Sequence, residues 1–111
     1  MALLTSHTLN GSDGSHAGGI AVTLRNLATG AVVLTAETDD GGRLSANIPA
    51  DQIDPNATYE LIFSLGPYWA ARGVTPAVHE IALRFSMREP EGSYHMPVIL
   101  NPNSYSMWTS A

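Results

Sequence analysis

Thr58-Tyr59-Glu60-Leu61-Ile62-Phe63-Ser64-Leu65 decides the fold class. Tyr59, Leu61, Phe63 and Leu65 stand at every second position, with Thr58, Glu60 and Ser64 between them and Ile62 as the exception. Successive side chains of an extended chain point to opposite faces, so this spacing makes one apolar face and one wet face, a half-buried strand. Ile20, Val22 and Leu24 alternate in the same way with Ala21, Thr23 and Arg25. Working outward, strand-like runs cover residues 3–8, 31–37, 78–87 and 94–100, separated by clusters of Gly, Asp, Asn and Pro at 10–19, 39–42, 49–56, 88–92 and 101–103. Short strands punctuated at this spacing predict an all-β sandwich. One segment breaks the alternation: residues 67–73 (Pro-Tyr-Trp-Ala-Ala-Arg-Gly) open with proline and close with glycine around good helix formers, the polarity of a short helix.

The 111 residues form a single domain, and a chain of this length buries enough surface to hold a core without disulfides. Cysteine is absent, which removes thiol nucleophiles, thiolate metal sites and redox chemistry. Lysine is absent too, and with it Schiff-base catalysis; the only basic residues are Arg25, Arg43, Arg72, Arg84 and Arg88. A net charge of -5 with no basic stripe argues against a nucleic-acid partner. Neither a basic, apolar leader nor a membrane-length apolar run is present, so a soluble, cytoplasmic protein with no membrane partner is expected.

Four histidines, His7, His16, His79 and His95, are the acid-base candidates. His16 lies in a Gly/Ser-rich loop and reads as a solvated loop residue, and His79 reads as structural at a strand start. On the last long strand Tyr94, Met96, Val98 and Leu100 share a core face, while His95, Pro97 and Ile99 share the other. Proline lacks a ladder donor, so this strand is expected at an edge or interface. Taken singly, His95 and His7 read first as structural residues and Arg43 as a surface cation after the turn Asp39-Asp40-Gly41-Gly42. No metal-ligand spacing, phosphate loop or nucleophile elbow is present.

Taken together, these segments resemble the transthyretin family, and more closely its 5-hydroxyisourate hydrolase branch. Ser6-His7-Thr8-Leu9-Asn10 is similar to the family's His-Val-Leu-Asp strand, Gly19-Ile20-Ala21-Val22 to its Gly-x-Pro-x strand, and Thr38-Asp39-Asp40-Gly41-Gly42-Arg43 to its Thr-Asp-x-x-Gly-Arg turn. Tyr68-Trp69-Ala70-Ala71-Arg72-Gly73 resembles the short-helix segment. Tyr94-His95-Met96-Pro97-Val98-Ile99-Leu100 resembles the strand written His-Tyr-His-Val-Pro-Leu-Leu-Leu in the hydrolases, with Ser93 at its first histidine. The order and spacing of these matches run almost end to end.

The resemblance implies a two-sheet β-sandwich of about eight strands with one short helix. It also implies a homotetramer whose central channel holds the sites, with a C-terminal strand over residues 105–111 reaching that channel. Carried over position by position, His7, Arg43 and His95 become the catalytic set: the histidines deprotonate water and protonate a leaving nitrogen, and Arg43 polarises a carbonyl of a small heterocyclic substrate. No cofactor is required. The hydrolases typically end in Tyr-Arg-Gly-Ser, whereas this chain ends Trp108-Thr109-Ser110-Ala111. Trp108, Thr109 and Ser110 are therefore the expected substrate-binding residues, with Thr109 replacing a bidentate guanidinium. Three activities fit: hydrolysis of a cyclic ureide in urate catabolism, the same machinery turned to another small molecule, or a non-catalytic carrier.

Overall fold

The computed structural model describes residues 1–110, and Ala111, the last position of the divergent tail, lies outside them. The described chain runs through β1 (Ala2–Asn10), β2 (Ala21–Asn26), β3 (Val32–Glu37), β4 (Arg43–Ile48), β5 (Thr58–Ser64), α1 (Gly66–Ala70), β6 (Glu80–Ser86), β7 (Ser93–Asn101) and β8 (Ser104–Met107), with a single 3-10 turn at Ala50–Gln52. The strands form two four-stranded sheets, ordered β4-β1-β7-β8 and β3-β2-β5-β6. This is the two-sheet sandwich expected from the alternation. No helix is long and apolar enough to cross a membrane among the described residues.

The apolar positions read from the period-2 pattern are the ones that meet between the sheets. Val22, Leu24, Tyr59, Leu61 and Phe63 face Leu4, Met96, Val98 and Leu100, and all are buried. Each such side chain contributes about 1.5–3 kcal/mol by leaving water. Ile62, the exception in β5, lies on the outer face between Thr23 and Ala82. The helix is shorter than its segment: Pro67 sits in its first turn, and Gly73, at φ 69°, takes the left-handed conformation that ends the segment. It carries Tyr68 and Trp69 into the core, their rings edge-on at 5.1 Å, with Arg72 stacked 3.8 Å above Tyr68.

Two strand assignments change. β4 was not legible as a strand, because Leu44 and Ile48 are its only large apolar residues and stand four apart. β7 is not at an edge, since β1 flanks it on one side and β8 on the other. Pro97 is accommodated because its nitrogen faces β8, where the ladder is already failing. β8 ends at Met107, and the Trp108 N–H reaches the Pro97 carbonyl only at 3.4 Å.

β1 defines the outward face. Its buried positions are Ala2, Leu4, Ser6, Thr8 and Asn10, three of them polar. Each polar group has a partner: Ser6 Oγ donates to the Met96 carbonyl at 2.6 Å, Thr8 Oγ1 to the Ala17 carbonyl at 2.6 Å, and Asn10 Nδ2 to the Tyr68 hydroxyl at 3.1 Å. Leu3, Thr5, His7 and Leu9 are left on the outside of the sandwich.

Candidate active site

The outer face of the β4-β1-β7-β8 sheet gathers the three expected catalytic residues on adjacent strands. His7 of β1 is the register partner of Arg43, the first residue of antiparallel β4. Such partners stand about 5 Å apart at Cα, which places the guanidinium and the imidazole over the same patch. Arg43 is held there by the turn before it. Asp39 Oδ1 accepts from the Gly41 and Arg43 N–H groups, both at 2.9 Å, and the Gly42 N–H bonds the Asp39 carbonyl at 2.9 Å. Gly42 has φ 73°, and a Cβ there would lie 2.4 Å from the Thr8 carbonyl oxygen, so only glycine lets the turn press against β1.

His95 reaches the same face from β7, which runs parallel to β1 with His95 opposite Thr5 and Pro97 opposite His7. The two histidines are thus one strand and two residues apart, about 8 Å at Cα from the strand spacing and rise. Thr5 Oγ1 lies 2.7 Å from His95 Nδ1 and fixes the ring, a role the sequence reading did not assign.

Beyond β8 the chain keeps its register. Val98 pairs with Met107, and after a gap His95 pairs with Ser110, whose N–H bonds the His95 carbonyl at 2.8 Å. Ser110 and Trp108 therefore share the outer side with His95, and Trp108 remains 45% exposed. Thr109 falls at the opposite parity, level with the buried Met96, so the register separates it from the other two tail residues.

His16 is exposed in its loop, as expected of a solvated loop residue, but it also has a partner on the site face. The chain turns back after β1, with the Asn10 N–H bonded to the Ser15 carbonyl at 2.8 Å, and Leu9 pairs with His16. His16 Nδ1 comes to 2.8 Å from His7 Nε2, and the rings stack at 4.9 Å. The signal was the turn itself, because a reversal centred after Asn10 returns residue 16 to the outward parity of Leu9. His79 lies apart, exposed just before β6, where its carbonyl accepts the Leu65 N–H.

Burial, followed by the nearby Arg43 and His16 charges, holds the His7 pKa below the ordinary histidine value; the Gly41 carbonyl opposes this, and His95 adds to it. His7 is consequently neutral near pH 7, as a general base must be. Arg43 has no ion-pair partner among the described residues, so its guanidinium is free for an anion. The face can thus offer a neutral imidazole, a second imidazole and a cation to one small molecule. No group of three or more metal-ligating side chains converges among the described residues. Two hollows of the surface lie away from it, one lined by Arg88, Glu89 and Tyr94 and another by Leu27, Asn56 and Arg84, while the His7 and His95 side chains lie half-buried and Arg43 exposed on the sheet face.

Comparison with known proteins follows the same lines. The model of the HIUase/Transthyretin family matches residues 4–109. The 5-hydroxyisourate hydrolase 2 of Rhizobium meliloti is 32% identical over 111 residues, covering 95% of this chain and 92% of its own. Among solved structures, (S)-allantoin synthase superposes with a TM-score of 0.86 at 28% identity over 99% of this chain, which spans 44% of that longer protein. Sea bream transthyretin, solved in complex with thyroxine, superposes with a TM-score of 0.82 at 27% identity, covering 97% of this chain and 94% of its own. The chain belongs to the HIUase/transthyretin family.

Proposed function

We propose that this protein is a 5-hydroxyisourate hydrolase-type enzyme that opens a small cyclic ureide or imide without a cofactor. The observation that carries the reading is the register of three adjacent strands, which puts His7, Arg43 and His95 on one outward face. Neutral His7 takes a proton from water as the water oxygen bonds to the substrate carbonyl carbon. The carbonyl π pair moves onto oxygen, where Arg43 meets the negative charge. When the tetrahedral intermediate collapses, the carbon–nitrogen bond breaks and the leaving nitrogen receives a proton from His95 in its protonated form. Solvent then carries the proton from His7 back to His95. Trp108 and Ser110 would border the substrate beside His95, and Thr109 would act from the tetramer rather than from its own sheet face. Turnover of freshly generated 5-hydroxyisourate, followed against its spontaneous decay, tests the reading, and a rate no greater than that decay would end it.

An exposed face is a poor place to stabilise an oxyanion, because water screens the charges. The proposed tetramer removes this difficulty by laying a second copy over the sheet, in the arrangement of the transthyretin family. Trp108, 45% exposed, is the large apolar side chain next to the site that such a contact would cover. Trp108→Asp is expected to shift the protein to smaller species in sedimentation and to lower turnover at least about tenfold, since an interfacial aromatic anchor is worth about 2 kcal/mol or more. A monomer with full activity would contradict the channel.

A further inference from the structure

His16 is the histidine beside His7 that the hydrolytic scheme leaves without a task. Its Nδ1 is 2.8 Å from His7 Nε2, with 23° between the ring planes, and the same His7 nitrogen is 3.1 Å from the Gly41 carbonyl oxygen. A carbonyl oxygen accepts and never donates, so the nitrogen facing it carries the hydrogen. Neutral His7 is therefore the Nε2–H tautomer with its lone pair on Nδ1. His16 Nδ1 is a second acceptor for that N–H, and the His16 hydrogen sits on Nε2. The charged and titratable groups facing His7 are Arg43 from β4, His95 from β7 and His16 from the loop, while the Asp39 carboxylate is taken up by backbone N–H groups.

We infer that His16 is a positioning residue for His7. Resting on the hydrolase reading, it fixes the tautomer and ring plane of the base and accepts the Nε2–H more strongly once Nδ1 has taken the proton of the attacking water. The task is that of the carboxylate in a Ser-His-Asp arrangement, performed by a neutral acceptor. A neutral partner suits this face, where a carboxylate would form an ion pair with Arg43 and draw it from the oxyanion.

The test combines ring-nitrogen NMR titrations of the intact protein with kinetics on 5-hydroxyisourate, for wild type, His16→Ala and His16→Asn, with His7→Ala to assign the signals. In the wild type, neutral His7 should show the Nε2–H tautomer, with that hydrogen shared with His16 Nδ1. His7 should titrate differently in the two His16 variants. It should titrate at higher pH in His16→Asn than in His16→Ala, because asparagine keeps the acceptor that favours imidazolium. His16→Ala should lower kcat about tenfold, the scale of one hydrogen bond, with KM within about twofold. His16→Asn, whose Oδ1 replaces Nδ1 as acceptor, should recover most of that loss. Identical His7 titration and tautomer in all three proteins would overturn the inference, as would a kcat loss in His16→Ala that His16→Asn leaves unrepaired. The titration needs no substrate, so a wild type inert toward 5-hydroxyisourate removes the hydrolase reading while the NMR still decides for or against the pair.

Discussion

Replacing His95 by alanine should lower turnover at least about 100-fold while leaving the sandwich folded. One positioned acid-base group contributes about 100- to 10,000-fold, and an oxyanion contact a similar amount, so Arg43→Ala and His7→Ala belong to the same range. The fold should survive because all three side chains lie on the outer face, where the contact His95 loses is a single hydrogen bond to Thr5. The three losses should not add, because a base without its oxyanion partner has no step to accelerate. The pH dependence follows from His7. Its pKa is depressed, so the neutral base is the main form at pH 7, and the acid-side fall in rate should come as pH drops through that lowered value, more acid than an ordinary histidine would give. Steady-state kinetics against pH, with circular dichroism of each variant, checks both parts. Full activity of His95→Ala on the true substrate would remove the mechanism.

Gly42→Ala should cost at least about 2 kcal/mol of stability, a fall in Tm of about 8 °C or more. Two penalties act together. The φ of 73° is strained for any residue with a Cβ, and that Cβ would sit 2.4 Å from the Thr8 carbonyl oxygen, which accepts the Ala17 N–H. Backbone cannot yield as a flexible side chain would, so β4 must shift relative to β1 and carry Arg43 away from His7. Activity should therefore fall in the protein that remains folded, which separates this variant from a purely global destabilisation. Gly30→Ala is the control: its φ is 77°, but nothing lies within 4 Å of its Cβ, so the strain acts alone and far from the site. Equal Tm and equal kcat loss in the two variants would refute the packing account.

Much of the fold was legible because the strands with clean alternation pack against a single core. In β2, β5 and β7 from Met96 onward the large apolar residues at every second position are the buried ones, and hydropathy alone finds the inner face. β1 and β4 escape that rule. Ser6, Thr8 and Asn10 are buried by partners as distant in sequence as Met96, Gly42 and Tyr68, and no local pattern reports a hydrogen bond between such positions. The candidate site is legible in the same uneven way. His7, Arg43 and His95 were named through their family resemblance, whereas Thr5 and His16 came only from contacts across 90 and 9 residues.

The amino-acid sequence by itself determined the sandwich, the helix between β5 and β6, and the chemistry available: imidazole and guanidinium with no thiol and no amine side chain. These follow from spacing and composition, which are properties of the chain before it folds. Only the tertiary structure decided which groups act together. Register settled it, since shifting a strand by one residue moves every side chain to the other face. The β1–β4 and β1–β7 registers put Arg43, His7 and His95 on one side, and the return after Asn10 brought His16 against His7. The continuation past β8 put Trp108 and Ser110 with them and turned Thr109 away.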